Sequence, residues 1–304
     1  MSGRSVGKAA DSEIAELVAP LRRVPLWPRR FAVGPRAAFD EYRLDESHLR
    51  EAVSAGLPCL PITDGPLFDR FDLTNLSLGL RLRTPQRAAM RFWAGILNRP
   101  VGEVRRYEIS IHARCPVPGH PGPCQFRVRT FDGAERVVRS DGAQDEPLVT
   151  AEVELHNDWP ELPGRLRQLV AVMSPVRFYR LPESIRWDVD MMWRNRIGDC
   201  AAISAWLVRA GRRRGLIMRP SYGLIVSPPF STPHFWAEAL VDDRWVPCDP
   251  GLIEGLERWG VNQPGSWTPD RSPGALLARL SGRCTYAASH GPFAVSATFR
   301  TRAK

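Results

Sequence analysis

The stretch from Gly198 to Pro250 commits the chain to a helix followed by three strands, and that order constrains the fold more than anything else in the sequence. Ile203, Trp206, Leu207 and Ala210 recur at helical spacing and Gly215 ends the run, so a helix is expected from about Cys200 to Arg214. Beyond it Ser221 to Val226, Phe235 to Val241 and Trp245 to Pro247 read as strands, with a turn at Asp242-Asp243 joining the last two. A helix leading into a hairpin defines an α+β core in which the helix packs on an antiparallel sheet.

Three residues in this stretch carry chemistry. The Gly198-Asp199 break presents Cys200 at the helix start, where unpaired backbone N–H groups and the positive end of the helix dipole favour a thiolate. Alternation along Pro233-His234-Phe235-Trp236-Ala237-Glu238 places His234, Trp236 and Glu238 on one face of a strand and Phe235, Ala237 and Ala239 on the other. The hairpin then returns Asp249, in Trp245-Val246-Pro247-Cys248-Asp249-Pro250, to the neighbourhood of His234. A nucleophilic thiol needs a base, and the base needs a group that fixes its tautomer. Singly, each residue has a plainer reading: a small buried residue, a satisfied core histidine, a turn. The ordered combination, at separations of 34 and 15 residues, is far more demanding.

These motifs resemble those of the transglutaminase-like, papain-related cysteine enzymes of bacteria: Gly-x-Cys at a helix start, His-x-Trp-x-Glu, then Trp-x-Pro-x-Asp-Pro. The resemblance covers about Leu181 to Gly255, with Gly215 to Pro220 leading from the nucleophile helix into the first core strand. It implies an acyl-enzyme mechanism, with Cys200 as nucleophile, His234 as proton shuttle, Asp249 as its orienter and the Cys200 N–H as an oxyanion donor. Trp193 and Asn195 are candidates for a second donor by position, and Trp236, on the His234 face, is a candidate cleft residue. The family often has Thr after its Asp-Pro; Gly251 stands there instead, which bears on local packing. Some members make amide bonds in specialised metabolism such as antibiotic biosynthesis, taking the acyl group from an acidic acyl carrier protein. Transfer to an amine is therefore the expected activity, with hydrolysis of a peptide or amide, or a catalytically silent binding module, as alternatives. No cofactor is expected, and without a calcium-site motif protein crosslinking is disfavoured.

The formal charge of +9 could suggest nucleic acid, but the only lysines are Lys8 and Lys304, and the arginines are spread over nearly every segment. No aromatic-basic motif accompanies them, so nucleic-acid binding is not expected. Arg209, Arg212, Arg213, Arg214 and Arg219 gather at the end of the nucleophile helix and could meet an acidic partner, although cations there also suit the helix dipole. No apolar run reaches the ~18 residues of a membrane helix, and Met1-Ser2-Gly3-Arg4-Ser5 begins no signal peptide, so a cytoplasmic location away from membranes is expected. The six cysteines, Cys59, Cys115, Cys124, Cys200, Cys248 and Cys284, are then expected as thiols.

Three regions are expected: a helical and loop region over 1–103, an antiparallel β region over 104–157, and the catalytic domain over 158–304. Helices are anticipated over Asp11 to Arg23, over Asp45 to Ala55, and from Thr84 with Pro85 at its first position until Pro100. Alternation marks Ile109 to Ala113, Phe126 to Val128 and Val149 to Leu155 as strands, and from Pro182 the chain reads helical up to Gly198. His112, Cys115, His120 and Cys124 have the look of a zinc knuckle. A strand through Cys115 would point His112 and Cys115 to opposite faces, so a plain hairpin without metal is the expectation there.

Overall fold

The structure, a computed structural model, describes residues 12–117, 119–120, 122–140, 146–282 and 286–304. Ser12 accepts from the Ala15 amide and caps α1 (Glu13–Leu21), which buries Ile14, Val18 and Leu21. Asp11, where this helix was expected to start, lies outside the described residues. Strand β1 (Phe31–Val33) leads to α2 (Pro35–Tyr42) and α3 (Glu46–Ser54), and β2 (Phe68–Asp69) pairs back on β1 before α4 (Arg70–Gly79). Thr84 caps α5 (Pro85–Leu97) by accepting from the Arg87 amide, with Pro85 at its first turn.

The strands that follow are β3 (Val104–Ala113), β4 (Cys124–Arg129), β5 (Glu135–Ser140) and β6 (Val149–His156). Then come α6 (Gly164–Ala171), β7 (Arg177–Phe178), α7 (Val189–Asn195), β8 (Ile197–Gly198) and α8 (Cys200–Arg213). Strands β9 (Met218–Ile225), β10 (Phe230–Val241) and β11 (Arg244–Cys248) precede α9 (Pro250–Arg258). The chain closes with β12 (Leu277–Ser281), β13 (Ala288–His290), β14 (Phe293–Val295) and β15 (Ala297–Ala303). Helices and antiparallel sheets make this an α+β fold, and α8 packs on β9 and β10 as expected.

A seven-stranded sheet runs β12-β9-β10-β15-β3-β6, with β11 also paired to β10. Here the expected three-part division meets a different architecture. The C-terminal strand β15 pairs with Phe230 and Ser231 of β10 on one side and with the length of β3 on the other. Strands β3 and β6 of the 104–157 region thereby continue the sheet of β9, β10 and β11, and the boundary at 157 is no break in hydrogen bonding. Strand β4 instead joins a four-stranded sheet, β14-β13-β4-β5. The stretch from Pro182, expected to be helical throughout, is helical only over Val189–Asn195. Arg196 ends α7 in the left-handed conformation, and Ile197 and Gly198 pair in parallel with Arg177 and Phe178.

The 1–103 region sits on the segment that precedes Cys200. Leu21, Leu44, Leu73 and Leu76 share a buried cluster with Tyr179, Leu181, Ile185, Met191 and Ile197. Helix α4 also buries polar residues, each with a partner: Asp72 pairs with Arg29 at 2.6 Å, and the Ser77 hydroxyl donates to the Tyr42 carbonyl. Asn75 binds the backbone of Arg180 twice, donating to its carbonyl at 2.8 Å and accepting from its amide at 2.9 Å. Replacing Asn75 by Ala strands both Arg180 groups in a part-buried site and is expected to lower the unfolding free energy by about 2 kcal/mol in urea titration. A change under about 0.5 kcal/mol would show that water replaces the amide there.

Candidate active site

The hairpin that carries His234 is set by its turn. Asp242 and Asp243 both have positive φ, 47° and 61°, and they form the two-residue loop between Val241 and Arg244, the geometry that matches strand twist. Aspartate tolerates this conformation because its short side chain can bond locally. Register then runs from Val241 opposite Arg244 to Ala237 opposite Cys248, which leaves Asp249 just beyond the ladder, beside His234.

Asp249 divides its two oxygens. Oδ1 accepts from the Leu252 amide at 3.0 Å and caps α9, with Pro250 at the first turn, while Oδ2 holds His234 Nε2 in a short hydrogen bond. The Asp-Pro pair is thus a helix start and not a plain turn. With Nε2 taken by Asp249, Nδ1 is the ring nitrogen left to exchange a proton with a nucleophile. Burial disfavours the charged imidazolium, but the charges and hydrogen bonds of Asp249 and Cys200 outweigh it and raise the His234 pKa well above the ordinary histidine value.

Cys200 is the first residue of α8, so its N–H is among those that a helix leaves without an internal acceptor. Asp199 precedes it as the cap, accepting from the Ala201 amide at 3.3 Å and from the Cys200 thiol at 3.0 Å. This carboxylate is buried and also takes the Leu181 amide and the guanidinium of Arg186, the latter at 2.9 Å. Burial raises the Asp199 pKa, yet the charge of Arg186, then of Arg180, overrides it and the carboxyl stays below the usual range. The same Arg186 nitrogen lies 3.5 Å from Cys200 Sγ, and the guanidinium sits over the Phe235 ring. Burial alone would lower its pKa, but Asp199 and Cys200 raise it, so the cation is permanent. The sequence reading did not single out Arg186, because its segment lacks the expected helix and its role comes from a contact across thirteen residues.

Glu238 and Trp236 explain the rest of the histidine motif. The Trp236 indole stacks on the His234 ring at 16° between planes and donates to Glu238 Oε1 at 3.0 Å, while Arg219 holds Glu238 Oε2 at 2.6 Å. All three motif residues share one face, as alternation predicts. Trp236 is 1% exposed, so it backs the histidine from inside and lines no open cleft. Gly223, paired with His234, makes room for it: a Cβ there would meet the tip of Trp236 at 2.9 Å and the Ala278 carbonyl at 2.0 Å.

Cys200, His234 and Asp249 are 4%, 4% and 2% exposed, so the trio is enclosed. Trp193 and Asn195 are not brought to the thiol. Trp193 packs edge-on against Trp206, six residues and about 9 Å farther along the axis of α8, and Asn195 ends α7, its carbonyl turned to Arg23. A Cβ at Gly251 would meet the Cδ1 tip of Ile203 at 2.7 Å, so a side chain there would have to displace that tip. A groove of about 810 Å³ borders the site along Ile203, Pro250, Gly251 and Glu254 without being lined by the trio itself. Among the arginines at the end of α8, Arg212 donates to the Met218 carbonyl and Arg219 serves Glu238. The neighbouring Cys248 is fully buried, and burial followed by the charge of Asp249 pushes its pKa up, which makes it a poor nucleophile. No disulfide joins the described cysteines, and Cys284 lies outside the described residues. No described helix is long and apolar enough to cross a membrane.

No protein-family model and no curated protein matches the chain. Among solved structures it is similar to a proposed cysteine protease from Cytophaga hutchinsonii, at 10% identity and a TM-score of 0.35, over 68% of this chain and 90% of that one.

His234 holds its proton more tightly in the folded chain than in the unfolded one. Its contribution to stability is therefore complete below about pH 6.5 and is lost as pH rises through the elevated folded value. The stability difference between wild type and His234→Gln, from urea titration at several pH values, is expected to shrink above neutral pH; growth with pH would reverse the sign. Asp249→Asn keeps an N-cap for α9 but removes the charge. Titration of the His234 ring, followed by NMR, is expected to move down toward the ordinary value, and an unmoved titration would remove the carboxylate as its cause.

Proposed function

We propose that the chain is a transglutaminase-like, papain-related cysteine enzyme that transfers an acyl group through Cys200. The observation that carries this reading is the arrangement around His234: one ring nitrogen is committed to buried Asp249, and the helix-start thiol of Cys200 lies near enough to raise the ring's proton affinity. His234 takes the thiol proton through Nδ1, and the sulfur attacks the carbonyl carbon of a thioester or amide. The oxyanion forms against the Cys200 N–H and collapses as the bond to the leaving group breaks, the leaving group taking the proton from His234. An amine then attacks the thioester, gives its proton to His234 and departs as an amide, returning the thiol.

Transfer to an amine is supported over hydrolysis by the enclosure of the trio, which limits water at the thioester. An acyl donor carried as a thioester suits a cysteine nucleophile, because thiol exchange is close to isoenergetic. Arg209 and Arg213, exposed near the far end of α8, lie about 14 to 20 Å along the axis from Cys200, and we assign to them the acidic surface of a carrier protein.

Incubation with acyl-pantetheine thioesters, acyl-carrier proteins and peptides, followed by intact-mass spectrometry, is expected to give an acyl adduct that maps to Cys200 and is absent from Cys200→Ala. Added amines should discharge it faster than buffer alone. Discharge by water at an equal rate would make the chain a hydrolase, and no adduct from any donor would leave a binding module.

A further inference from the structure

Four potential metal ligands converge at the junction of the two large sheets, and they are not the four that sequence proximity suggests. Cys115 follows β3, His120 lies in the loop before β4, Cys124 opens β4 and His290 ends β13; one sulfur or ring-nitrogen atom of each lies within 4.8 Å of all the others. His112 is outside the group. It sits within β3, opposite Thr298 of β15, two positions before the chain leaves the strand toward Cys115. Its place is taken by a residue 166 positions beyond Cys124, which strand pairing delivers. His290 pairs with Phe126, so it shares a sheet face with Cys124, two residues along the same strand, as a diagonal neighbour.

We propose that Cys115, His120, Cys124 and His290 form a structural zinc site. Zinc bound tetrahedrally at about 2.0 to 2.3 Å separates its nitrogen and sulfur ligands by about 3.3 to 3.8 Å. His120 Nε2 lies 3.3 Å from Cys124 Sγ, and the rings of His120 and His290 are 5.0 Å apart between centroids. The Val117 amide lies 3.4 Å from Cys115 Sγ, placed to donate to a sulfur that carries charge as a ligand. Two thiolates and two imidazoles are a zinc donor set, and four protein ligands leave no position for substrate, so the ion's role is structural. That role is needed here. Between Cys115 and Cys124 the loop contains four prolines and two glycines, and its one large aliphatic side chain, Val117, is 43% exposed, so apolar packing cannot order it. The ion would tie the end of β3, in the seven-stranded sheet, to β4 and β13 of the other.

The test is zinc content by elemental mass spectrometry on the full chain, produced with zinc and purified without chelator, with one ion per chain expected. Cys115→Ser, Cys124→Ser and His290→Ala are each expected to retain about tenfold less or lower, whereas His112→Ala and Cys200→Ser keep the full amount. Cobalt added to the chelated wild-type chain should give the intense visible bands of a tetrahedral site with thiolate charge transfer, a readout that needs no variant to fold. Zinc at background in the wild type, full zinc in His290→Ala, or a Cys115–Cys124 disulfide in the intact protein would each overturn the proposal.

Discussion

The carboxylate of Asp249 is buried, and an uncompensated charge in that position would cost several kcal/mol. Its compensation comes from two directions at once, the Leu252 amide at the start of α9 and the ring of His234 on β10. Neither partner is local to the other. The α9 start is set locally, by Pro250 and the Asp249 cap, whereas His234 is placed by the hairpin register, so a one-residue slip of β11 would carry Asp249 and its cap together out of reach of His234. Asp199 repeats the arrangement at α8, where one buried carboxylate caps the helix, takes the Leu181 amide, and meets Arg186 and the Cys200 thiol. In each case one aspartate both caps a helix and holds a residue of the trio, so the geometry of the trio is a consequence of where two helices begin.

That dependence gives the 1–103 region a physical role. Leu181, whose amide Asp199 accepts, follows the residue whose backbone Asn75 clamps from α4. The cluster of Leu73, Leu76, Leu181, Ile185 and Ile197 buries the same segment against the N-terminal helices. Removing those helices would uncover the segment that holds Arg186 and Asp199, and with it the support of Cys200. These residues act by holding the backbone.

Features governed by local chemistry were legible in the sequence: the Thr84-Pro85 helix start, the helix from Cys200 to the Gly215 stop, the Asp242-Asp243 turn, and the alternation that puts His234, Trp236 and Glu238 on one face. What escaped depends on contacts distant along the chain. Helix α4 shows no amphipathic stripe because nearly all of its circumference is buried, with Asp72, Asn75 and Ser77 satisfied by partners 35 to 105 residues away. Strand β15 joins sheets that seem separate when read in order, and nothing near His290 marks it as a neighbour of Cys124. Trp193 and Asn195 were chosen by distance along the chain from Cys200, but the left-handed turn at Arg196 and the β8 pairing redirect the backbone between them and the thiol.

On the proposed reading, the enclosure of Cys200 sets the terms on which a thioester there is resolved. Partition between an amine and water is a ratio of two rates, and about 1.4 kcal/mol of difference between their barriers shifts it tenfold. Arg186 enters that difference as a fixed cation 3.5 Å from the sulfur, already paired to Asp199 and packed against Phe235. Because its charge is already matched by Asp199 and Glu183, it can polarise groups near the sulfur without drawing in a bulk counter-ion. A cation already held in place by its ion pairs needs little reorganisation when charge develops beside it. On that reading, the closer the acceptor comes to this cation, the more a neutral amine depends on the contacts around Cys200 for its selection over water.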